Sequence, residues 1–347
     1  MSALQLIWFA ILAFLVCGYA VLDGFDLGVG VLTAFARDDR RRQLLIRAIS
    51  PFWDGNEVWL LAAGGASFAA FPPVYATVFS GFYIPMMLLL FALIFRAVAI
   101  EFSIHEPLKL FRLSWHFVIA GASAVALFML GLVVGNLLNG LQLDAAGNYT
   151  GRVRDLLNPL ALTTALLNMA MMTTHGALYL ALRAQGELRT WVQRVAGTAW
   201  GAYVAMVVAV LMAATTARSG LMANYTAQPV LWTLPAMALL AVLAVGLLNH
   251  RGNHRAAFSV SVLAILGLLG SAVVAIFPRL VPAVDPARSL TIAGSASSDV
   301  ALQAMLVVAA LGMPIVLAYT AWLYWTFRAP VDAEPPRSAS PRTDQAK

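Results

Sequence analysis

Four carboxylates in the first sixty residues are the side chains of this sequence best suited to acid–base chemistry. Asp23 and Asp26 lie in the stretch GYAVLDGFDLGVG, and Asp54 and Glu57 lie in SPFWDGNEVWLL. The members of each pair are three residues apart, so on a helix they share one face. An ionised carboxylate in apolar surroundings is costly unless it is paired, hydrated or protonated, and such groups carry protons through membranes. The pattern predicts proton transfer, with hydrogen bonding between helices as the structural alternative.

The composition places these acids in a membrane protein. The chain has 347 residues, of which 61% are hydrophobic and 11% are charged, and its mean hydropathy is +0.82. A soluble domain is far less apolar, so we expect an all-α polytopic membrane protein. The formal net charge of +6 is explained by cations that fix the topology, and it does not indicate a nucleic-acid partner. The single cysteine, Cys17, offers neither a disulfide nor a thiolate metal site.

Nine apolar stretches are long enough to cross a bilayer, since a spanning helix needs about 20 residues. They lie near residues 5–35, 51–71, 76–100, 115–140, 158–182, 196–217, 229–249, 256–277 and 302–327. The second stretch is the least distinct, and Ser50 and Pro51 predict where its helix begins. Four stretches precede a loop at 144–155 and four more follow it before the last. This order favours two four-helix bundles and one peripheral helix, with irregular loops at 144–155 and 278–299.

The distribution of cations predicts the orientation. Most of the 22 lysines and arginines fall in the loops after the first, third, fifth and seventh stretches and in the C-terminal tail. Because such residues collect in the cytoplasm, we expect the N-terminus outside and the C-terminus in the cytoplasm. The densest cluster, RDDRRRQLLIR from Arg37, is interpreted as the anchor of the first hairpin. Residues 1–328 are expected to form a single transmembrane domain, and residues 329–347 a disordered cytoplasmic tail.

With this orientation the four acids form a series in depth. A helix rises about 1.5 Å per residue, so Asp26 lies about 13 Å and Asp23 about 18 Å from the cytoplasmic end, and Glu57 about 9 Å. The first two stretches are antiparallel neighbours, because the connection between them is short. The order Asp54, Glu57, Asp26, Asp23 therefore leads inward, as proton uptake from the cytoplasm requires.

Few other side chains suggest a reaction centre. His175, in MMTTHGALYL, lies well inside a stretch, and a single buried histidine is more often hydrogen-bonded in the core than bound to haem or metal. Arg96, in FALIFRAVAIEF, either extends to the interface or pairs with an acid of the second stretch or with a partner's cofactor. Gly24 and Gly28 have a spacing that lets membrane helices pack closely. No nucleophilic triad, phosphate loop or nucleotide site is apparent.

Several of these motifs together resemble one family. GYAVLDGFDLGVG, ISPFWDGNEVWLLAAGGASFAAFPPVYATVFSGFYIPMMLLLFALIFRAVAIEF, LLNPLALTTALLNMAMMTTHGALYL and LAYTAWLYWTF are similar to segments of the second subunit of cytochrome bd-type quinol oxidases, including the cyanide-insensitive branch. The similarity runs from about Phe9 to Phe327. Its N-terminal third is the most specific part, because it joins two acidic motifs at a characteristic spacing. His175 stands where other members can carry a glutamine, so no role is carried over to it.

The resemblance implies a function for the chain within a larger enzyme. It implies the non-haem subunit of an electrogenic terminal oxidase that oxidises ubiquinol or another membrane quinol and reduces dioxygen to water. Haem b and haem d are expected in the larger partner, subunit I, and none on this chain alone; a quinone is a candidate ligand and a small accessory subunit a candidate partner. By motif position Asp26 and Asp54 would deliver protons, and Trp59 would border an oxygen route. The expected location is the bacterial inner membrane.

Two other classes of protein stay open at this point. A proton-coupled secondary transporter also places acids inside its spans, near the midplane. A purely structural assembly subunit would use the acids only for hydrogen bonds. A transporter predicts broken helices in both halves of the chain, whereas the buried acids cluster in the first two stretches. That asymmetry favours the oxidase subunit.

Overall fold

Helices account for nearly all of the structure. The computed structural model describes residues 1–215, 217 and 220–331. In chain order the α-helices are α1 (Ala3–Leu32), α2 (Asp39–Ile49), α3 (Trp53–Ala70), α4 (Pro72–Gly81), α5 (Tyr83–His105), α6 (Lys109–Asn139), α7 (Pro159–Arg183), α8 (Gly186–Ala214), α9 (Ala223–Ala227), α10 (Thr233–His250), α11 (His254–Ile276), α12 (Ile292–Ser295) and α13 (Asp299–Thr326). Short 3-10 segments at Thr33–Phe35 and Pro229–Trp232 extend α1 and lead into α10.

Eight helices in the described part of the chain are long and apolar enough to cross a membrane. They are α1, α5, α6, α7, α8, α10, α11 and α13. The range predicted for the second span holds α3, which is not among them. Its 18 residues measure about 27 Å, close to the thickness of a bilayer core, but its first two turns carry Asp54, Asn56 and Glu57. A total of nine crossings and the sides on which the termini lie stay predictions.

The connection between α1 and α3 differs from the prediction of a loop followed by a helix that begins at Pro51. The basic segment forms α2, Ser50 ends this helix instead of starting the next, and α3 begins at Trp53. The side chain of Asp38 caps α2, since it accepts a hydrogen bond of 2.8 Å from the amide of Arg41. The apolar residues Leu45, Ile46, Ala48 and Ile49 are buried on one side of this helix, whereas its first turn is charged throughout.

Two further helix boundaries differ from the sequence prediction. The span predicted at 76–100 is divided at Phe82, so that α4 ends at Gly81 and α5 begins at Tyr83. Pro85 lies in the first turn of α5, where a missing N–H is tolerated, and it favours a helix start there. The span predicted from residue 196 begins at Gly186, because the polar segment GELRTWVQRV continues the same helix beyond the apolar stretch.

A bidentate ion pair holds α2 against α6. The Asp39 carboxylate accepts hydrogen bonds from Arg112 Nε at 3.1 and 3.2 Å and from Arg112 Nη2 at 2.6 Å. Donation by Arg112 lowers the pKa of Asp39 below its ordinary value. A pair of this geometry fixes orientation as well as position. The helix α2 contacts α1, α6 and α7, and it therefore covers the basic end of the bundle.

The long helices pack around α1 and α7. The helix α1 contacts α3, α6 and α7, and α5 packs on α6. The helix α7 contacts α8 and α11, and α10 contacts these same two helices. The helix α13 lies at the periphery against α1 and α3, and one of its residues, Leu302, is buried. A division into two four-helix bundles stays a prediction, since α1 packs on members of both groups.

The two loops predicted to be irregular pair with each other at the end opposite α2. Leu141 forms a parallel bridge with Ala283, and Leu143 forms an antiparallel bridge with Tyr149. The strand β1 (Arg279–Val281) pairs antiparallel with β2 (Leu290–Thr291). This pairing gives hydrogen-bond partners to backbone groups where the helices end.

The predicted tail lies mostly outside the described residues, which end at 331. Within them, Arg183 Nε donates to the carbonyl of Ala329 at 3.1 Å, and the amide of Val331 donates to the carbonyl of Arg183 at 2.9 Å. These bonds hold the chain just beyond α13 against the end of α7. The boundary between a transmembrane domain and a tail stays a prediction.

Glycines set the close crossing of α1 and α7, as the spacing of Gly24 and Gly28 predicts. A Cβ at Gly28 would overlap the carbonyl oxygen of Met172, and a Cβ at Gly176 would lie 2.6 Å from the amide nitrogen of Val29. Both contacts are with backbone atoms, which cannot rotate away as a side chain can. The prediction of close helix packing here is confirmed.

Gly176→Ala is expected to destabilise the protein by about 1–3 kcal/mol, the usual effect of overpacking, because α1 and α7 must separate to admit the methyl group. Gly121→Ala on α6 is the matched control: a Cβ there meets nothing within 4 Å, and alanine is the better helix former. The apparent melting temperature of the purified protein reports the stability of both variants. Equal melting temperatures would contradict the backbone contact.

Candidate functional site

Arg96 on α5 forms a buried ion-pair cluster with two of the predicted acids. Its Nη1 donates to Asp23 Oδ1 at 2.9 Å and to Glu57 Oε1 at 2.8 Å. The side chains of Arg96 and Asp23 are fully buried, whereas that of Glu57 is 20% exposed. The interpretation in which Arg96 extends to the interface is therefore wrong. The alternative, pairing with an acid of the second stretch, is confirmed.

The direction of α5 determines that the side chain of Arg96 leans away from the basic end. Side chains on a helix point back toward its N-terminus, and α5 runs from Tyr83 toward the basic end at His105. Arg96 reaches into the bundle, where α1 presents Asp23 and α3 presents Glu57. An unpaired charge would be very costly at this depth, so the arginine and the acids require one another.

The cluster holds more negative than positive groups. One guanidinium contacts Asp23 and Glu57 directly, and Asp26 follows about one turn further along α1. Full ionisation of all three carboxyl groups would leave uncompensated negative charge in a medium of low dielectric constant. The arrangement can therefore take up a proton while the contacts of Arg96 are kept.

Asp26 belongs to a second network, which sequence reasoning missed. Asn56 Nδ2 donates to Asp26 Oδ2 at 2.7 Å and to the Tyr324 hydroxyl at 2.9 Å. The Tyr324 hydroxyl also lies 3.2 Å from Asn56 Oδ1, to which it can donate. Asn56 thus links α1, α3 and α13. The acidic motif DGNE contains Asn56 and could have drawn attention to it. Tyr324 lies 268 residues away, and no local pattern connects the two residues.

Several buried polar atoms along this face have no protein hydrogen-bond partner among the described residues. They are Asp23 Oδ2, Asp26 Oδ1, Tyr19 Oη, Arg96 Nε and Arg96 Nη2. Buried groups of this kind normally bind ordered water. Water bound to them would connect the two networks, since Tyr19, Asp23 and Asp26 follow one another at helical spacing on α1.

The four acids differ in exposure, although Asp26 and Asp23, which the sequence predicts at different depths, are equally buried. Asp54 is exposed, Glu57 is partly exposed, and Asp26 and Asp23 are buried. Their contacts do not form a single series. Glu57 is linked to Asp23 through Arg96, whereas Asp26 is linked through Asn56 to Tyr324 on α13. Asp54 makes no direct contact with the buried acids. The proton-carrying roles of all four stay predictions.

Trp59 lies between α3 and α1. Its side chain is 5% exposed, and its ring lies edge-on to Phe14 with centroids 5.6 Å apart. Gly18 makes room for the indole, because a Cβ there would lie 2.5 Å from Trp59 Cζ3. The tryptophan packs in a cluster with Leu15 and Tyr19 of α1, and its role at an oxygen route stays a prediction.

His175 is hydrogen-bonded at both ring nitrogens. Nδ1 lies 2.7 Å from the Ser261 hydroxyl and Nε2 lies 3.1 Å from the carbonyl oxygen of Val21. The ring also stacks on Phe258 with centroids 4.7 Å apart. A carbonyl can only accept, so Nε2 carries a hydrogen, and neither nitrogen is directed at a ligand. The interpretation of His175 as a hydrogen-bonded core residue is confirmed.

Comparisons with known proteins point to one family. The family model of cytochrome bd terminal oxidase subunit II matches residues 4–327. The chain is 35% identical to cytochrome bd-I ubiquinol oxidase subunit 2 of Escherichia coli (strain K12), over 93% of this chain and 94% of that protein. It is 32% identical to cytochrome bd ubiquinol oxidase subunit 2 of Bacillus subtilis (strain 168), over 97% and 99%.

A solved structure shares the fold. A chain of the bd oxidase from Geobacillus thermodenitrificans superposes with a TM-score of 0.78, over 94% of this chain and 99% of that one. The sequence identity is 17%, so this likeness concerns the arrangement of helices alone.

Proposed function

The chain belongs to the cytochrome bd terminal oxidase subunit II family, and from this membership we propose that it brings cytoplasmic protons to an oxygen-reducing centre in its partner subunit. Membership makes it a subunit of a terminal oxidase complex and does not favour a secondary transporter. In the proposed reaction the complex oxidises ubiquinol or another membrane quinol and reduces dioxygen to water. Protons drawn from one side of the membrane make that reaction electrogenic.

The observation that carries this proposal is the excess of carboxyl groups around one buried arginine. A structural ion pair needs one acid for one base, whereas Arg96 contacts Asp23 and Glu57 and has Asp26 close by. A third carboxyl group at this depth adds desolvation cost without a cation to compensate it. Proton exchange is a function that explains its presence.

The proposed route begins at Asp54, which is exposed and can receive a proton from water. Glu57, partly exposed about one turn further on α3, receives it next. From there the proton reaches Asp23 or Asp26 through water bound to the buried polar atoms between them. Asn56 positions Asp26 by donating at 2.7 Å, which leaves Oδ1 of the same carboxyl group open to water.

Haem b and haem d are proposed for subunit I, where they would supply electron transfer and oxygen binding. The hydrogen bonds at both nitrogens of His175 support this placement, because they leave this histidine without a lone pair directed at iron. A quinone held by this chain and a small accessory subunit stay candidates. We propose the bacterial inner membrane as the location of this multi-pass protein.

Trp59 is proposed to border an oxygen route beside the acids. Its ring is enclosed by α1, whereas Val58 and Leu61 on the same helix are exposed and apolar. Dioxygen dissolves in lipid, so an apolar surface next to a bulky indole is a suitable lateral path. The proposed role of Trp59 is to set the width of that path.

The complex purified through a tag on this chain is expected to show b- and d-type haem in a reduced-minus-oxidised spectrum and quinol-dependent oxygen uptake. The same tag on an unrelated membrane protein from these cells is the control. A preparation with neither haem nor oxygen uptake would remove the oxidase assignment.

A further inference from the structure

A groove between α8 and α10 opens on the surface of the bundle, at the end where cations collect. Its volume is about 620 Å³, within the range of about 300–1,000 Å³ that is usual for ligand sites. Both helices are among those long and apolar enough to cross a membrane. The groove therefore faces lipid along its side and the aqueous interface at its end. It shares no residue with the candidate proton route.

Hydrogen bonds fix the width of the groove. Gln193 Nε2 donates to the carbonyl of Asn249 at 2.8 Å, and Asn249 Nδ2 donates to the carbonyl of Gln193 at 3.1 Å. About two turns further in, Trp200 Nε1 donates to the carbonyl of Val242 at 2.7 Å. The helix rise makes the distance between these ties about 10 Å. The groove is therefore preformed.

Glycines and leucines form the inner part of the groove. The Trp200 ring packs on Gly246, where a Cβ would lie 2.5 Å from Trp200 Cζ2. At Gly197 a Cβ would meet one atom within 4 Å, Asn249 Nδ2 at 3.8 Å, so this side of the groove is open. Leu243 and Leu247 line the groove and are 54% and 50% exposed. The inner part is therefore apolar and has room for a hydrocarbon chain.

Basic residues lie at the outer end of the groove. Arg194 and His250 line it and are exposed, and Arg251 follows directly after α10. None of the described lining residues is acidic. Basic pockets between membrane helices at this level attract anionic lipid headgroups.

We propose that this groove binds one anionic glycerophospholipid. Its phosphate lies at Arg194 and His250, and one acyl chain lies along Gly197 and Leu243. A free phosphate ion would use the cationic end and leave the apolar part uncovered. An anionic lipid matches both parts of the groove, because its phosphate suits the basic outer end and its acyl chain suits the apolar inner part.

Native mass spectrometry of the intact oxidase complex tests this proposal. The complex is titrated with dioleoylphosphatidylglycerol, with dioleoylphosphatidylcholine and with sodium phosphate. Gly197→Leu fills the groove, and Gly201→Leu is its matched control, since Gly201 is exposed one turn further along α8 and has nothing within 4 Å. The wild-type complex and Gly201→Leu are expected to bind one more phosphatidylglycerol than Gly197→Leu. Arg194→Gln should weaken that site about fivefold, the effect of one cation near an anionic headgroup.

Four results would overturn the proposal. The first is an equal phosphatidylglycerol count in Gly197→Leu and the wild type, and the second is equal affinity of the site for the two lipids. Displacement of the lipid by sodium phosphate at the same concentration would identify a free anion as the ligand. Loss of a polypeptide from Gly197→Leu with an unchanged lipid count would identify a protein occupant. Arg194→Gln changes an exposed side chain, so it keeps the test valid if Gly197→Leu fails to assemble.

Discussion

Arg96→Met is expected to destabilise the subunit by roughly 3–5 kcal/mol, the usual effect of removing one partner from a buried ion pair. The substitution leaves the fully buried Asp23 without a cation and removes the partner of Glu57 as well. Methionine keeps most of the volume of the arginine, so the loss measures charge pairing and not a cavity. The fraction of purified complex that stays assembled after heating, read by size-exclusion chromatography, reports the change.

Two further variants separate pairing from packing at this site. In Arg96→Met combined with Asp23→Asn and Glu57→Gln, neither direct partner of Arg96 is left as an unpaired charge, so most of the lost stability should return. Arg96→Lys keeps the charge but replaces a planar guanidinium, which contacts two acids, with a compact ammonium group. Its stability should therefore lie between that of Arg96→Met and that of the wild type. If Arg96→Met is as stable as the wild type, the carboxyl groups do not depend on the arginine for charge compensation.

The membrane character and most spans could be predicted from sequence because each is a local property. An apolar run of sufficient length has few alternatives to a spanning helix, and the predicted spans overlap the observed helices there, although some helix ends differ by as many as ten residues, as at Gly186. The segment from Arg37 is different, since its cations dominate any average and conceal the apolar side of α2. The separate helix at Pro72–Gly81 was likewise hidden in a continuous apolar sequence.

The site could be predicted in part, because partners on different helices leave no local pattern. The spacing of Asp23 and Asp26 shows that they share a face but not what that face contacts. Whether Arg96 reaches the interface or an acid depends on the rotation of α5 about its axis. Tyr324 joins the network of Asp26 through Asn56, across nearly the whole chain. Such contacts follow from the packing of complete helices.

Asp26→Asn is expected to lower quinol-dependent oxygen uptake on the order of 100-fold, the lower range for loss of a positioned acid–base group. Asparagine has nearly the same shape as aspartate but cannot exchange a proton, and Asn56 can still hydrogen-bond to its side-chain oxygen. Haem content and melting temperature should therefore stay at the wild-type level. Oxygen consumption by the purified complex with a soluble quinol, its haem spectrum and its apparent melting temperature measure the three quantities.

Two comparison variants help to show whether slower oxygen uptake in Asp26→Asn reflects lost proton transfer. Asp54→Asn should also slow oxygen uptake, though less, because water at an exposed position can partly replace the carboxyl group as proton donor. Glu187→Gln, in an acid whose side chain is 95% exposed at the start of α8, should have no effect. Full activity in both aspartate variants would leave the acids with a structural role, in which Asp26 serves to orient Asn56 and Tyr324. A loss in Asp26→Asn accompanied by lost haem would point to assembly, so only a loss with intact haem supports proton delivery through this carboxyl group.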